Sequence, residues 1–498
     1  MLLKPSGNDL RLVALDLGRI MGVVAAAGLF PLIWALVAQE WAAVGSFALM
    51  IGLALLLAAA GVISSGERRR DPDWSHGLVV VALTWLIVPA LGAMPLYLSG
   101  HFDRPLDAYF DAMSGLTTTG LSLIHDLDHL ASSVNVWRHT LHFLGGQGIV
   151  LAALILFSAS GALSLYQAEG RDEKVLPSVS STARFIWYVA IVHGVIGIGL
   201  LTIDGLVVQG FEPVRAVFHA TNIFMAAFDT GGFSPQSTSV GYYHSAIYEA
   251  TAAVLMVAGA MSFGLHHAIW RRRAGLAKNL EVRTILVTFT GTLFVTLVGL
   301  ALIGAFEGPL ALTRKGAFHV LSAHTGAGFS TVSSAELQRW SGLAFAGIAT
   351  AMALGGMSSS TAGGVKSLRI GLTVKAMIDT VRKALLPEGA VVSRVYRQYG
   401  RRRLDPELAQ SVMALSLLYV GLYLLGGAVG AAYGYPLQDA LFESISASAA
   451  VGLSVGVVAP GMPVPLEVLM ILQMWIGRLE FVAVFALIGF GWSLVAGK

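Results

Sequence analysis

The chain has 498 residues, of which 55% are hydrophobic and only 12% charged, about half the charged share of a soluble globular domain. With apolar runs of roughly 20 residues recurring throughout, that balance excludes a soluble globular protein and predicts a polytopic membrane protein. Cysteine is absent, which excludes disulfides, thiolate metal sites and a cysteine nucleophile, and the net charge of +3 matters less than where the charges lie.

Residues 12–38 and 41–64 read as two membrane helices joined tightly at Gln39-Glu40 and followed by Glu67-Arg68-Arg69-Arg70-Asp71-Pro72. Leu12 to Trp34 is long enough to be a span itself, so no cleavable signal peptide is read. This hairpin, residues 1–70, is an anchoring or packing addition to a repeated core. Four units follow, over residues 71–170, 171–275, 276–400 and 401–498. The first holds a span from Leu78 to Leu98, a half-length segment from Pro105 to Leu116 and a second span from Asn135 to Ser160. After the polar stretch Gln167 to Arg184, the second runs Phe185 to Val208, Pro213 to Phe228 and Ala246 to Trp270. The third runs Ile285 to Phe306, Leu310 to His324 and Leu343 onward, with a basic segment from Lys375 to Arg403 behind it. The fourth runs Leu408 to Ala432, Pro436 to Ala449 and Leu466 to Leu494. The spans total ten, two in the hairpin and two per unit.

Charge orients the chain. Arg68, Arg69, Arg70, Arg171, Lys174, Arg271, Arg272, Arg273, Lys278, Arg382, Lys383, Arg394, Arg397, Arg401, Arg402 and Arg403 fall in one set of connections, whereas the opposite set holds Arg104, Arg215, Arg314, Lys315 and Arg339. The positive-inside rule makes the first set cytoplasmic, so both chain ends lie inside and the half-length segments enter from outside.

Each half-length segment leads into a glycine turn. Phe110 leads to Thr117-Thr118-Thr119-Gly120-Leu121-Ser122, Phe218 to Asp229-Thr230-Gly231-Gly232-Phe233-Ser234, Phe318 to Thr325-Gly326-Ala327-Gly328-Phe329-Ser330, and Phe442 to Ala450-Val451-Gly452-Leu453-Ser454. The step from Phe to the last glycine is 10 residues in three copies and 14 in the second, longer by about one helical turn. Glycine lets carbonyl oxygens be aimed at an axis, and rings of carbonyls replace the water shell of a monovalent cation. The C-terminal ends of the half-helices add partial negative charge beside the ion path. Non-helical backbone at membrane depth is tolerated only where protein shields it or it lines a wet cavity. One such turn is more simply a packing feature. Four in matching context read as a filter whose backbone carbonyls bind a monovalent cation. Its residues are Thr118, Thr119 and Gly120; Thr230, Gly231 and Gly232; Gly326, Ala327 and Gly328; and Ala450, Val451 and Gly452. Asp229 is the one acid in these turns; it either adds charge at the filter or is hydrogen-bonded behind it.

The third unit's last helix is interrupted by Gly355-Gly356-Met357-Ser358-Ser359-Ser360-Thr361-Ala362-Gly363-Gly364-Val365-Lys366, a run of poor helix formers. Arg478 stands in an apolar helix, and a charge at membrane depth is by default a functional candidate. It either lies near the ion path below the filter and raises the barrier to cations, or is a structural pair with Glu480 or a loop carbonyl. His139, His142, His266 and His267 lack metal spacing and read as hydrogen-bonded packing; His324 is placed to brace the third turn. No Gly-x-x-x-x-Gly-Lys phosphate loop, catalytic triad or paired catalytic carboxylates stand out, so neither direct ATP binding nor enzymatic chemistry is read. The segment Lys375 to Arg403 suits anionic membrane lipid or a cytoplasmic protein; no nucleic acid partner is expected.

The whole chain resembles the Trk/Ktr/HKT superfamily of potassium transporters, most of all the TrkH-type membrane subunit of the bacterial Trk system. Besides the four turns, the resemblance rests on Phe143-Leu144-Gly145-Gly146-Gln147-Gly148-Ile149, Ser262-Phe263-Gly264-Leu265-His266, the Gly355 to Lys366 segment and Gly477-Arg478-Leu479-Glu480, and the N-terminal hairpin matches the extra pair of helices in the Trk branch. It implies an all-α fold of four span–pore-helix–span repeats with pseudo-fourfold symmetry around one pore. It implies potassium uptake across a bacterial inner membrane, with filter glycines at Gly120, Gly232, Gly328 and Gly452. Gly120 in the first turn, where some sodium-transporting plant relatives have serine, implies potassium preference. The gate it implies is an intramembrane loop comprising Gly355, Gly356, Ser360, Thr361, Gly363, Gly364 and Lys366, with Arg478. The resemblance also implies a homodimer and a cytoplasmic nucleotide-binding regulatory subunit of the TrkA type. The sequence departs from the family at Asp229, where asparagine is usual, and at Ala449-Ala450, where hydroxyl residues are frequent. Sodium transport and sodium- or proton-coupled potassium symport are the rival readings of the same pore. A solute carrier built from inverted repeats is disfavoured because all four units share one orientation.

Overall fold

A computed structural model describes residues 5–64, 74–148, 178–272, 275–387 and 395–497. Outside them lie residues 67–72, the first unit's second span beyond Gly148, the polar stretch as far as residue 177, Arg273 and Arg394.

Helices α1 (Gly7–Val37) and α2 (Trp41–Ser64) form the N-terminal hairpin. A capping box between Ser6 and Asp9 starts α1, and Gln39 at φ 57° makes the turn. Gly18 and Gly61 let the two backbones touch; a Cβ at Gly61 would strike the Ala14 carbonyl. This is small-residue packing in the absence of a hydrophobic driving force.

Four units then repeat one order of long helix, short helix, turn and further helix, and in the last three units that further helix is broken. The first is α3 (Trp74–Tyr97), α4 (Pro105–Leu116) and α5 (Ser132–Gln147). The second is α6 (Val179–Val207), α7 (Pro213–Phe228), α8 (Ala246–Ala260) and α9 (Phe263–Trp270). The third is α10 (Leu280–Leu302), α11 (Pro309–Thr325), the short α12 (Ser334–Gln338), α13 (Gly342–Leu354) and α14 (Ser367–Leu385). The fourth is α15 (Pro406–Ala432), α16 (Leu437–Ser448), α17 (Val464–Arg478) and α18 (Val482–Ala496). Proline opens α4, α7 and α11 at the first turn, where its missing N–H costs nothing. At 12 residues, α4 and α16 are about 18 Å long and cannot cross a bilayer core of about 30 Å. The inner ends of the short helices are fully buried, while Val195, Val287, Phe294 and Leu417 on the long helices stand exposed. The short helices are therefore the centre of the molecule, and the long helices α6, α10 and α15 form an apolar rim, whereas α3 is mostly buried.

One expectation is corrected. Among the described residues, six helices are long and apolar enough to cross a membrane, or eight if each bent pair is one span; the other two of the ten expected spans are the second spans of the first and third units. Leu343 onward yields only the short helix α13, and the first unit's second span leaves the described residues at Gly148. Ala246 to Trp270 and Leu466 to Leu494 are not continuous spans either; they bend by 103° and 109°. Met261 is extended and the Ser262 hydroxyl caps α9 by accepting from the Leu265 N–H at 3.2 Å. Between α17 and α18, Glu480 and Phe481 take φ 53° and 69°, a left-handed pair that no helix continues through. Apolarity alone does not reveal either break.

The basic segment from Lys375 onward divides into the end of α14 and a hairpin of β1 (Val395–Gln398) and β2 (Gly400–Arg403), antiparallel with Tyr396 opposite Arg402. It is the one β element among the described residues of an otherwise helical protein.

Candidate functional site

The four turns have the same backbone. In each, the residue before the last glycine donates its N–H to a carbonyl five residues back. The bonds are Thr119 to Ser114 at 2.9 Å, Gly231 to Ala226 at 2.8 Å, Ala327 to Ser322 at 2.9 Å and Val451 to Ser446 at 2.9 Å. The residue two before the glycine is left-handed each time: Thr118 at φ 56°, Thr230 at 52°, Gly326 at 77° and Ala450 at 52°. For the three that are not glycine this costs about 1–2 kcal/mol each, so the surroundings impose the conformation.

The turns also touch in cyclic order. A Cβ on Gly120 would strike the Gly231 carbonyl, one on Gly232 the Ala327 carbonyl, one on Gly328 the Val451 carbonyl, and one on Gly452 the Thr119 carbonyl. All four glycines have positive φ, from 72° to 94°. The structure thus brings together eight of the residues named for the filter from sequence: Thr119, Gly120, Gly231, Gly232, Ala327, Gly328, Val451 and Gly452.

A set of braces behind the turns was not foreseen. The serine two residues after the glycine meets a polar side chain in the short helix: Ser122 with Asp111 at 2.5 Å, Ser330 with His319 at 3.0 Å, and Ser454 with Glu443 at 2.6 Å. Asp111 is in turn paired with Arg138 at 2.8 Å, both buried, and the Arg138 guanidinium lies 3.9 Å over the Phe233 ring. The signal was available: these polar residues directly follow the recurrent Phe110, Phe318 and Phe442. In the second unit that Phe position is Asn222, buried and donating to the Phe218 carbonyl at 2.8 Å. The apparent longer step is thereby corrected. Helix α7 ends four residues before Gly232, as α4 ends four before Gly120, and Phe218 merely sits one turn early.

Three further glycines seat the units. A Cβ on Gly145, Gly259 or Gly477 would strike the carbonyl of Leu116, Phe228 or Ser448, the last residue of the short helix in the same unit. Asp229 is resolved as the brace: its Oδ1 accepts from the Gln147 side chain at 2.5 Å, behind the turn. His139 contacts the Asn135 and Phe233 carbonyls and His266 the Ala258 carbonyl, at 2.8–3.1 Å. His324 bonds the Thr288 hydroxyl at 2.8 Å, so it ties α11 to α10 rather than holding the turn.

The loop between α13 and α14 lies against the inner side of the ring. The Thr361 hydroxyl lies 2.9 Å from the Gly259 carbonyl, 3.1 Å from that of Phe228 and 3.1 Å from the Thr230 hydroxyl. A Cβ on Gly363 would strike the Ala449 carbonyl, and Gly355 and Gly364 are in mutual backbone contact. Met357 donates to the Ala260 carbonyl at 3.0 Å, Ser360 caps the Met357 carbonyl at 2.6 Å, and Gly356 accepts from Ser367 at 2.8 Å.

Arg478 joins these parts. Its guanidinium donates to the Thr361 and Gly145 carbonyls, each at 2.7 Å, and to the Thr118 hydroxyl at 3.1 Å. Glu480 is not its partner in these bonds. Glu480 bonds Arg369 and lies 4.0 Å from Lys366, whose ammonium donates to the Ala362 carbonyl at 2.5 Å. Arg478, Lys366, Glu480, Trp85, Tyr419 and Ser360 line one cavity of about 30 Å³. Two cations and one acid therefore line the cavity beside the loop, and the acid is also bonded to Arg369. On the far side of the loop, the Ser358 N–H donates at 2.8 Å to Glu281, whose other oxygen accepts from Gln398 of β1 at 3.2 Å. Glu281 also escaped the sequence reading, since its partners are 77 and 117 residues away.

Residues 45–488 match the TrkH family profile, described as a cation transport protein. The chain is 29% identical over 433 residues to an uncharacterised cation transporter of Methanocaldococcus jannaschii, covering 86% of this chain and 85% of that one. It is 28% identical to the Trk system potassium uptake protein TrkH of Halomonas elongata, over 84% of this chain and 85% of that one. To its Escherichia coli K12 counterpart it is also 28% identical, over 81% and 83%. The crystal structure of the potassium transporter TrkH from Vibrio parahaemolyticus superposes with a TM-score of 0.82 over 96% of this chain and 98% of that one, at 22% identity, which establishes the shared fold.

Proposed function

The chain belongs to the TrkH family of cation transport proteins, and from that premise we propose that it takes up potassium through a filter formed by the four glycine turns. It is a multi-pass membrane protein and a transporter rather than an enzyme. The observation that carries the proposal is the cyclic contact of Gly120, Gly232, Gly328 and Gly452 with the carbonyls of the neighbouring turns. On this reading the four short helices, each ending in the same hydrogen-bonded turn, form a pseudo-fourfold ring whose carbonyls face a common axis, and such a ring replaces the hydration shell of a monovalent cation. The ten spans, the unit boundaries and the cytoplasmic placement of both ends in a bacterial inner membrane belong to the same reading.

The loop from Gly355 to Lys366 is the gate beneath the filter, and Arg478 raises the barrier to cations there. Its bonds to the Thr361 and Gly145 carbonyls hold the loop against the ring, so the barrier and the structural roles are one arrangement. The exposed basic connections, with Arg382, Lys383 and the arginines of the β hairpin, suit a cytoplasmic nucleotide-binding regulatory partner, and a homodimer is part of the proposal. Ion flux into proteoliposomes tests it, with potassium, rubidium, sodium or lithium supplied in turn. Potassium and rubidium are expected to enter and sodium and lithium to be rejected. Equal sodium entry would overturn the selectivity and leave the pore standing; no entry of any of the four would overturn the pore.

A further inference from the structure

Two cavities on the side of the basic connections share a wall. One, of about 290 Å³, lies between the turn at Leu276–Lys278 and the β hairpin, and presents Lys278, Arg397, Arg401 and Tyr399. Among the described residues none of the three cations has a carboxylate partner. The other, of about 390 Å³, is almost wholly apolar. It is lined by Ile285 and Phe289 of α10, by Met261 and Leu265 at the bend between α8 and α9, and by Gly356 and Met357 of the loop. Leu276 lines both cavities.

We propose that the pair binds one anionic phospholipid, with its phosphate on Lys278, Arg397 and Arg401 and one acyl chain in the apolar cavity. The chemistry of the two cavities matches the two halves of that molecule. Unpaired cations at the membrane surface attract a phosphodiester, and a hydrocarbon-lined cavity opening between membrane helices is filled by a lipid tail at no desolvation cost. A soluble phosphate would leave the second cavity unexplained, and a neutral lipid would leave the first. From Val282 to Phe289 the cavity follows about 10 Å of α10, enough for a length of acyl chain and not for a folded protein segment. The bound lipid would reach the loop by two routes. Its tail would lie against Gly356 and Met357, and its phosphate would sit on the hairpin whose Gln398 is linked to Ser358 through Glu281. Lipid occupancy therefore sets the position of the proposed gate. The site itself rests on the membrane reading and not on the filter.

The test is native mass spectrometry of the full chain released from nanodiscs of phosphatidylcholine doped with phosphatidylglycerol. One retained phosphatidylglycerol per chain is expected. The triple variant K278Q/R397Q/R401Q should bind it on the order of a hundredfold more weakly, each basic residue contributing about a factor of five. Ile285→Trp, which fills the apolar cavity and leaves the cations in place, should also lose it. Wild-type protein alone supplies the controls that do not depend on a variant folding. Equal retention of phosphatidylcholine would overturn the headgroup assignment. Displacement of the lipid by inorganic phosphate or glycerophosphate would overturn the tail assignment. Rubidium flux measured on the same samples separates loss of the lipid site from loss of the filter.

Discussion

The guanidinium of Arg478 donates a 2.7 Å hydrogen bond to the carbonyl of Thr361, 117 residues away, and so ties the last unit to the loop of the third. Charge-assisted bonds of this kind contribute about 1.5–3 kcal/mol each. A unit charge about 8 Å from an ion path at an effective dielectric near 20 raises its barrier by about 2 kcal/mol, about thirtyfold in rate. Arg478→Ala is therefore expected to raise rubidium flux by about that factor and to lower the unfolding temperature, whereas Arg478→Lys keeps the charge and stays closer to wild type. Unchanged flux in the alanine variant would remove the barrier role.

Gly120 has φ 94° and its missing Cβ is where the Gly231 carbonyl lies. Gly120→Ala must push that carbonyl outward, and the same holds for Gly328→Ala against Val451. Each is expected to cut potassium over sodium discrimination by about tenfold or more, since one displaced carbonyl need cost only about 1.4 kcal/mol of differential binding. Gly199→Ala has no atom within 4 Å of the new Cβ and should leave selectivity unchanged. The comparison is made by competitive flux with the two ions.

Asp111→Ala leaves Arg138 buried and without its carboxylate, and an uncompensated buried charge costs about 3–5 kcal/mol. The double variant Asp111→Ala/Arg138→Met removes both charges. It is expected to recover a large part of that loss, because contacting residues are not additive. Thermal unfolding in detergent decides; a double variant as unstable as the sum of the singles would show that the pair is not the source.

Glu281 is the strut between the hairpin and the loop. Glu281→Ala should free Ser358 and raise basal flux several-fold, on the order of 1 kcal/mol for a lost bond. Glu281→Gln keeps an acceptor for the Ser358 N–H and should remain near wild type. Equal behaviour of the two variants would exclude the strut.

The hairpin, the alternation of long and short helices and the four glycine turns were legible because each is written locally. A half-length apolar segment cannot span a bilayer wherever it is placed, and a glycine just past a helix end reads as a turn that needs a positive φ before any neighbour is known. The boundaries of α4 and α7 fall where Pro105, Leu116, Pro213 and Phe228 put them. The bends at Met261 and at Glu480–Phe481 were not legible, since no proline marks either one and the polar residues there, Ser262, Arg478 and Glu480, read equally well as side chains on a continuous span; the bends come from what packs around them. The second turn's Phe218 misled for a related reason: one residue type was followed where the buried position had changed to Asn222.

What the sequence by itself determined is the set of parts, because helix length, capping and apolarity act over a few residues. What only the tertiary structure decided is which parts meet: Gly120 with Gly231, Asp229 with Gln147, Glu480 with Arg369, and Arg478 with three segments 117, 333 and 360 residues distant. Hydrogen bonds and ion pairs act over about 3 Å in space and are indifferent to separation along the chain. A charge buried at membrane depth must find some partner, but its sequence neighbours do not say which.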